Sequence, residues 1–250
     1  MSDSTRQQSV PGLSRRQPCA GPPCAADAQV WLDFDGTITI DDTLDQLLAH
    51  HTQDESWKDA ERLWQQGRIG SFECLSRQLS SVRISAGDLR FFLDGIAIDT
   101  ATSSLFKIMS TLGVPFAVLS DGIDSFIAHI FAASRLDPVV RANSVRFVGS
   151  RLELVCPHRN AACESGAAHC KCRSGEALSV DHRRTIYIGD GRSDLCPSRK
   201  ADYVFAKGAL ANHLEAEGIA FERFDSLADV VASLRSAWLP DTADNRHAAR

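Results

Sequence analysis

The feature that most constrains this fold is a set of three apolar segments, each followed by a short run rich in acidic, serine or glycine residues. The segments cover residues 30–32, 116–119 and 185–188. They are followed by Asp33-Phe34-Asp35-Gly36-Thr37, Ser120-Asp121-Gly122 and Gly189-Asp190-Gly191-Arg192-Ser193-Asp194. Such uninterrupted apolar runs are typical of strands buried on both faces of a parallel sheet. Because ligands bind beyond the carboxyl ends of these strands, we expect the three motifs to converge at one edge of the sheet.

The segments between the apolar runs carry helical patterns. Strands that alternate with helices predict an α/β fold, namely a doubly wound, Rossmann-like parallel sheet with helices on both faces. The helical block after the first strand is too long for a simple crossover connection. We therefore predict a small helical cap, residues 42–98, inserted into a core of residues 29–41 and 99–239. Further expected elements are helices at 43–51, 102–112, 123–133 and 226–238, a strand at 203–206 and a β-hairpin at 145–155.

The two ends of the chain lack the periodic apolar pattern of the rest. Residues 1–28 are rich in Ser, Gln, Pro and Arg, and residues 240–250 have a similar composition. Segments of this kind bury too little apolar surface to offset the entropy lost on ordering. We predict that both are disordered tails.

Charge and hydropathy restrict the classes of partner. The formal net charge is −5 and the pI is about 5.9, so the chain lacks the basic surface of a nucleic-acid-binding protein. No apolar run is long enough to span a membrane, and no apolar segment follows the N-terminal arginines as in a signal peptide. We expect a cytoplasmic protein with no nucleic-acid or membrane partner.

Four carboxylates follow the predicted strands and should lie close together. They are Asp33, Asp35, Asp190 and Asp194. Carboxylates gathered at one site repel one another strongly unless a cation lies among them. A hard cation that prefers oxygen ligands, such as Mg²⁺, fits this donor set. The sequence therefore predicts a magnesium site at this edge of the sheet.

The motifs, taken in order, resemble those of the haloacid dehalogenase-like phosphatases. Asp33-Phe34-Asp35-Gly36-Thr37 resembles the first motif, Ser120 the second, Lys171 the third, and Gly189-Asp190-Gly191 with Asp194 the fourth. The resemblance covers residues 30 to about 235, and four ordered motifs are a far more specific signal than any one of them. The helical block is similar to the cap of the phosphoserine-phosphatase-like branch. The resemblance implies a phosphoric monoester hydrolase that acts on a small phosphorylated metabolite.

The resemblance also implies a role for each aspartate. Asp33 would attack phosphorus and form an aspartyl-phosphate, which divides one difficult displacement into two easier ones. Asp35 would act as general acid and then general base, and its backbone carbonyl would reach the metal. Asp190 would bind Mg²⁺, and Asp194 would orient a metal-bound water. The predicted metal set is therefore Asp33, Asp35, Asp190 and Asp194.

The predicted phosphate-binding set comprises Ser120, Asp121, Gly122 and Lys171. Ser120 and Lys171 would hold the transferring phosphoryl oxygens and offset their charge, because phosphoryl transfer depends mainly on positioning and electrostatics. Asp121 stands where the family often has a second glycine, so it is either a member of this set or an acceptor within its own loop.

The cap is expected to determine substrate specificity. Asp42 is a candidate for a substrate amine, or alternatively the cap of the helix that begins near Thr43, and Arg68 and Arg77 are candidates for polar or anionic substrate groups. Residues 189–207 and the pair Cys170-Lys171 resemble a subgroup that includes the methionine-salvage phosphatase and the phosphoethanolamine and phosphocholine phosphatases. The leading predicted substrate is 2-hydroxy-3-keto-5-methylthiopentenyl-1-phosphate, and the alternatives are phosphoserine, phosphoethanolamine and phosphocholine.

A cysteine-rich segment precedes the third motif. Cys156, Cys163, Cys170 and Cys172 lie within 17 residues. They could hold a structural Zn²⁺, form a redox-sensitive pair that shapes the loop around Lys171, or be ordinary thiols. The spacing differs from the CxxC…CxxC of a zinc ribbon.

Other activities fit the sequence less well. A phosphotransferase would use the same residues with an acceptor other than water. A non-catalytic phosphate-binding module is disfavoured by the intact set Asp33, Asp35 and Asp190. A dehalogenase would need neither the second aspartate nor the metal carboxylates.

Overall fold

The computed structural model describes residues 21–52 and 54–239. A seven-stranded sheet with the order β4-β3-β2-β1-β5-β6-β7 lies at its centre, and all neighbouring pairs are parallel except the antiparallel pair β3–β4. Within the described ranges, no helix is both long and apolar enough to cross a membrane. The strands are β1 (Ala28–Leu32), β2 (Phe116–Ile123), β3 (Val139–Val148), β4 (Arg151–Val155), β5 (Arg184–Gly189), β6 (Tyr203–Ala206) and β7 (Glu222–Arg223).

Ten α-helices accompany the sheet in the described part of the chain. The first four follow β1 directly and form the predicted helical block: α1 (Thr43–His51), α2 (Ser56–Gln65), α3 (Ser71–Ser81) and α4 (Ala86–Asp94). The others connect the strands of the sheet or follow the last one: α5 (Thr102–Thr111), α6 (Asp124–Ala133), α7 (Lys171–Leu178), α8 (Leu195–Lys200), α9 (Gly208–Glu217) and α10 (Leu227–Trp238). The predicted α/β fold with a parallel sheet is confirmed.

Strand order creates a crevice beside β1. The chain moves outward from β1 through β2 and β3, and then returns to the other side of β1 with β5. A reversal of strand order of this kind is the point at which ligands bind in open parallel sheets. The residues that follow β1 and β5 therefore face one another across the place where a ligand is expected.

The inserted helices pack on the same hydrophobic core as the sheet. Leu47, Leu48 and Leu79 of the helical block are fully buried and belong to one cluster with Leu32 of β1. Burying such side chains stabilises the fold by roughly 1.5–3 kcal/mol each. Helix α3 also contacts β4. That the block acts as a separate cap domain remains a prediction.

The predicted N-terminal tail is too long. Residues 1–20 and 240–250, which contain most of the two predicted tails, lie outside the described residues. Residues 21–28, however, include a 3₁₀ turn at Ala25–Asp27 and the first residue of β1, and Ala28 is fully buried. The indole Nε1 of Trp238 donates a hydrogen bond to the carbonyl of Pro23 at 2.8 Å. The prediction of disorder is therefore wrong for residues 21–28, because α10 supplies a partner that the local composition does not reveal.

Candidate active site

The three predicted motifs converge at the carboxyl edge of the sheet. Leu32, the last residue of β1, pairs with Val118 of β2 and with Ile188 of β5. The amide of Asp33 donates to the carbonyl of Ile188 at 2.9 Å. Because the strands are parallel and in this register, the residues that come next on each strand emerge at the same edge. The sequence-based expectation of convergence is therefore correct.

A buried ion-pair network lies at the centre of the site. The Nζ of Lys171 donates to Asp33 Oδ1 at 2.7 Å, to Asp194 Oδ1 at 2.6 Å and to Ser193 Oγ at 3.1 Å. The Lys171 and Asp33 side chains are 1% and 7% exposed. Burial raises the pKa of Asp33 well above its ordinary value, the charge of Asp194 raises it further, and Lys171 opposes both.

The charge of Lys171 is held in place by its partners. Burial alone would lower the pKa of this ammonium, but the carboxylates of Asp194 and Asp33 raise it above its ordinary value. Lys171 does not line the open cavity described below. In this state it contacts the predicted nucleophile directly, and its predicted contact with phosphoryl oxygens remains a prediction.

Three carboxylates form a group suited to a hard divalent cation. Oxygen atoms of Asp33, Asp190 and Asp194 lie within 4.8 Å of one another. Burial, followed by the charge of Asp194, raises the pKa of Asp190 to about 6. Three carboxylates against one ammonium leave an excess of negative charge, and the donors are all oxygens, so the residues present fit Mg²⁺.

Asp194 occupies a different position from the other two carboxylates. Its Oδ1 accepts from Lys171 and from the Tyr187 hydroxyl at 2.6 Å each, and its Oδ2 accepts from the amides of Asp190 and Gly191 at 3.1 and 3.0 Å. Both oxygens of Asp194 therefore already have protein partners. This arrangement favours the orienting role expected for Asp194, and metal binding by Asp33, Asp190 and Asp194 remains a prediction.

Asp35 lies outside the three-carboxylate group. Its Oδ1 accepts from the amide of Thr43 at 3.1 Å, and its Oδ2 lies 3.5 Å from Ser120 Oγ. Burial, followed by the charge of Asp42, raises the pKa of Asp35 to about 7. A carboxyl group with this pKa can give and take a proton near neutral pH. Metal binding by Asp35 remains a prediction, and it concerns the backbone carbonyl.

The turn after the apolar part of β2 is closely fitted to the first motif. Ser120 is 1% exposed and its Oγ accepts from the amide of Gly122 at 2.8 Å. A Cβ at Gly122 would lie 2.5 Å from Asp35 Oδ2, so glycine is needed there for the two motifs to approach. The structure thus brings Ser120 and Gly122 of the predicted phosphate-binding set against the catalytic candidates.

Asp121 makes hydrogen bonds that stabilise this turn. Its Oδ1 accepts from the amide of His169 at 2.8 Å, and Asn143 Nδ2 donates to its backbone carbonyl at 2.7 Å. These contacts favour the loop-acceptor alternative for Asp121, because a carboxylate would also repel a phosphate, and phosphate binding by Asp121 remains a prediction.

A cavity of about 280 Å³ opens between these motifs and the inserted helices. Its sheet end is formed by the catalytic motifs. The inserted helices and the residue before α1 add carboxylates and apolar side chains to its lining: Asp42, Leu44, Asp45, Glu61, Trp64 and Leu75. Asp42 caps α1 by accepting from the amides of Leu44 and Asp45 at 2.8 and 2.9 Å. It therefore has the capping role expected and lies at the cavity wall.

The predicted substrate arginines do not reach the cavity. Arg68 and Arg77 are exposed, and Arg77 pairs with Glu73 on the outer face of α3. Among the described residues that line the cavity, Arg192 is the one lysine or arginine. Its Nη1 lies 3.4 Å from the carbonyl of Gln65 at the end of α2. Arg68 and Arg77 therefore lie away from the cavity, and the arginine that lines it is Arg192, which belongs to the fourth motif.

The structure does not support the zinc hypothesis. Over residues 21–52 and 54–239, the aspartate cluster is the one group of three or more potential ligands close enough to share an ion. The cysteines of the cysteine-rich segment are free thiols. Cys163 Sγ, for example, lies 3.1 Å from Ser165 Oγ. These cysteines are Cys156, Cys163, Cys170 and Cys172.

Comparison with known proteins identifies the family. The family model described as Putative Phosphatase matches residues 28–221. The chain belongs to this family. Relatives include two proteins named 2-hydroxy-3-keto-5-methylthiopentenyl-1-phosphate phosphatase. The one from Exiguobacterium sibiricum is 27% identical over 215 residues, with 83% of this chain and 96% of the relative covered. The one from Bacillus mycoides is 27% identical over 210 residues, with 83% and 95% covered.

Solved structures support the fold of this phosphatase family member. A substrate-bound phosphoserine phosphatase matches with a TM-score of 0.62 and 16% identity, covering 82% of this chain and 96% of that one. A phospho-aspartyl intermediate analogue of phosphoserine phosphatase gives 0.60 and 17%, with coverage of 82% and 97%. The resemblance to the haloacid dehalogenase-like phosphatases is confirmed, and so is the predicted protein class, a phosphoric monoester hydrolase.

Proposed function

We propose that this chain is a Mg²⁺-dependent phosphomonoesterase that hydrolyses a small phosphorylated metabolite through an aspartyl-phosphate on Asp33. The observation that carries the proposal is the position of Asp33. It is buried at the floor of the cavity, bound by Lys171 at 2.7 Å, and grouped with Asp190 and Asp194 within 4.8 Å. A carboxylate is kept in such surroundings at a high electrostatic cost, which is typical of a functional site.

The chemistry divides between Asp33 and Asp35. A carboxylate oxygen of Asp33 forms a bond to phosphorus while the bond from phosphorus to the ester oxygen breaks, and Asp35 gives its proton to the departing alkoxide. In the second step, Asp35 takes a proton from water as that water attacks phosphorus, and Asp33 leaves as a carboxylate. Products are the alcohol and inorganic phosphate. The pKa of about 7 at Asp35 suits both proton transfers.

Other residues of the chain hold charge and position. Lys171 stabilises the ionised form of Asp33 before attack, and the hydroxyl group of Ser120 would donate to a phosphoryl oxygen. Asp194 fixes Lys171, Tyr187 and the loop after β5 through the four hydrogen bonds at its carboxylate. Mg²⁺, held by Asp33 and Asp190, would supply positive charge to the phosphoryl group.

The substrate candidate of first choice is 2-hydroxy-3-keto-5-methylthiopentenyl-1-phosphate. The relatives from Exiguobacterium sibiricum and Bacillus mycoides are named as phosphatases of this compound. Leu44, Trp64 and Leu75 add apolar side chains to the cavity wall that would accept a methylthio group.

A second candidate is a phosphomonoester with a positively charged amine, such as phosphoserine, phosphoethanolamine or phosphocholine. Asp42, Asp45 and Glu61 also line the cavity, and no described lysine or arginine of α1 to α4 does so. Carboxylates without a local counter-charge would attract a cationic leaving group. Both candidates use the same chemistry at Asp33 and differ only in what the inserted helices select.

Phosphate release tests the function directly. We expect at least about 100-fold faster release with Mg²⁺ than with EDTA, since phosphoryl transfer depends on charge compensation at the oxygens. The panel contains the methylthiopentenyl phosphate, phosphoserine, phosphoethanolamine, phosphocholine and an aryl phosphate. Re-addition of Mg²⁺ after dialysis controls for damage by the chelator. If folded, metal-loaded protein releases no phosphate from any of these esters, that result would contradict the proposed hydrolase activity. In that case, transfer to an added alcohol would indicate a phosphotransferase, and phosphate binding without turnover would indicate a binding module.

Replacement of Glu61 separates the two substrate candidates. Glu61 Oε2 accepts from Gln78 Nε2 at 3.2 Å, and Glu61→Gln keeps the volume of the side chain while removing its charge. If the substrate is cationic, we expect kcat/KM for phosphoethanolamine or phosphocholine to fall about 10-fold, since that factor corresponds to one partly exposed charge contact. Release from the methylthiopentenyl phosphate should stay within about 2-fold. Glu73→Gln, on the outer face of α3, is the matched control. Unchanged kcat/KM on every cationic ester would exclude selection by Glu61.

A further inference from the structure

His169 is a buried titratable residue that the proposed chemistry does not use. It is 1% exposed and immediately precedes Cys170 and Lys171. Its Nδ1 lies 2.7 Å from the backbone carbonyl of Ser120, its Nε2 lies 2.6 Å from Ser174 Oγ, and its amide donates to Asp121 Oδ1 at 2.8 Å. Every polar group of the side chain is therefore paired.

These partners determine the tautomer of the ring. Burial lowers the pKa of His169 to about 3, and the charge of Lys171 acts in the same direction, so the ring is neutral and carries one N–H. The carbonyl of Ser120 can only accept, which assigns the hydrogen to Nδ1. The unprotonated Nε2 then accepts a hydrogen bond from the hydroxyl of Ser174.

The ring joins two elements that must act on the same phosphoryl group. Ser120 lies on β2, whereas Lys171 and Ser174 belong to α7. No backbone ladder connects the end of β2 to the start of α7. The hydrogen bonds of the His169 ring to Ser120 and Ser174, together with the bond from its amide to Asp121, therefore join Ser120 of β2 to the start of α7, where Lys171 holds Asp33.

The same segment is attached to the inserted helices on its other side. The amide of Ala168 donates to Ser71 Oγ at 3.0 Å, and the amide of Phe72 donates to the carbonyl of Gly166 at 3.2 Å. The backbones are so close that a Cβ at Gly70 would lie 2.3 Å from the Gly166 carbonyl oxygen. Because Ser71 itself lines the cavity, residues 166–171 extend from the cavity wall to Lys171.

We propose that His169 is a positioning residue that sets Ser120 against Lys171 through its Nδ1–H bond to the Ser120 carbonyl. The proposal rests on the proposed hydrolysis at Asp33. It assigns His169 no proton transfer, because the ring stays neutral throughout the working range of pH.

Two substitutions at one position test the inference. In asparagine the amide nitrogen is as many bonds from the backbone as Nδ1, so His169→Asn keeps a donor for Ser120. In glutamine the amide nitrogen corresponds to Nε2. His169→Gln therefore keeps a polar group within hydrogen-bonding distance of Ser174 but loses the hydrogen bond to Ser120. We expect His169→Gln to lower kcat by about 10- to 100-fold with KM within about 3-fold, since a displacement of about 1 Å has an effect of this size. His169→Asn should retain kcat within about 5-fold, and Ser174→Ala, which leaves the Ser120 bond intact, should do so as well.

The controls distinguish positioning from other roles. Wild-type release from the ester panel must be present, since its absence rejects the proposed function rather than this inference. The pH profile of kcat should be the same for wild type and both variants, and a lost limb would indicate a proton-transfer role and overturn the proposal. Equal kcat in the Asn and Gln variants would also overturn it. If His169→Gln does not fold, ¹⁵N NMR of wild type decides, because a ring with its hydrogen on Nε2 contradicts the proposed bond.

Discussion

Replacement of Asp33 by asparagine is expected to lower phosphate release by at least about 10⁴-fold, because a carboxamide oxygen cannot act as the attacking nucleophile. The variant should remain folded. The pKa of Asp33 is raised by burial and by Asp194, which means that the ionised carboxylate is disfavoured in the folded protein. A neutral amide removes that repulsion while its oxygen still accepts from Lys171. We therefore expect the melting temperature of Asp33→Asn to equal or exceed that of wild type.

The measurement combines phosphate release with thermal unfolding. Asp137→Asn is the matched control, since Asp137 is exposed in the turn between α6 and β3, and it should change neither quantity. Release by Asp33→Asn at more than about 1% of the wild-type rate would be far faster than P–O cleavage without this nucleophile allows. That result would remove Asp33 from the mechanism. A large fall in melting temperature would instead show that Asp33 stabilises the fold, in contradiction to the direction of its pKa shift.

The parts of the fold that were predictable are those in which local pattern and tertiary structure agree. Helix α1 and strand β6 begin and end at the predicted residues, because apolar spacing in α1 and a β-branched and aromatic run in β6 match their burial. Helix α7 was not predicted. Its sequence contains Gly175, which lowers helix propensity, and a Cβ there would lie 3.2 Å from Trp31 Nε1. Close packing of α7 against β1 favours glycine at position 175, and the local sequence does not show this packing.

The first half of β3 was missed for a related reason. The hairpin at 145–155 was expected, but β3 begins at Val139 and pairs there in parallel with β2. Asn143 in this part is fully buried and donates to the carbonyl of Asp121. A buried polar residue interrupts the apolar pattern that marks a strand, and its partner lies 22 positions away. Periodicity alone cannot reveal such a pair.

Some residues of the candidate site could be predicted from the sequence and others could not, for the same reason. Residues that follow apolar strands, such as Asp33, Ser120 and Asp190, could be located because strand direction determines where they emerge. Side chains that reach the cavity from the inserted helices could not, since their orientation depends on how those helices pack. Arg68 and Arg77 were therefore predicted at the cavity but do not line it, whereas Arg192 does. Lys171 could be identified only through a resemblance, and its contacts with Asp33 and Asp194 only through the structure.

Removal of the Lys171 charge is expected to have the second largest effect, and it affects both stability and activity. Lys171→Met leaves Asp33 and Asp194 buried without the ammonium that pairs with both. Breaking a buried pair by removing one partner costs about 3–5 kcal/mol. For a chain of this length, that corresponds to a fall in melting temperature of roughly 10 °C. Activity should fall at least about 10³-fold, because Asp33 then loses the contact that orients it and the charge that favours its ionised form.

The pH dependence of this loss has a defined sign. Without Lys171, the pKa of Asp33 is raised further, since burial and Asp194 both raise it and the opposing charge is gone. A carboxyl whose folded-state pKa exceeds its unfolded value destabilises the protein progressively as pH rises through the folded-state value. The stability deficit of Lys171→Met relative to wild type should therefore be smallest in acid and grow toward neutral pH. A deficit that is constant with pH would mean that lost packing, rather than unpaired charge, causes it.

A double substitution separates charge from packing. In Lys171→Met/Asp194→Asn, one of the two unpaired carboxylates is neutral, so we expect at least half of the lost unfolding free energy to return while activity stays about 10³-fold low. Lys107→Met, at an exposed position of α5, is the control and should change stability by no more than about 0.5 kcal/mol. Equal stability of the single and double variants would contradict the assigned ion pair. Recovery of stability without activity would separate the two roles of Lys171: it makes a buried aspartate cluster compatible with folding, and it holds Asp33 ready for attack.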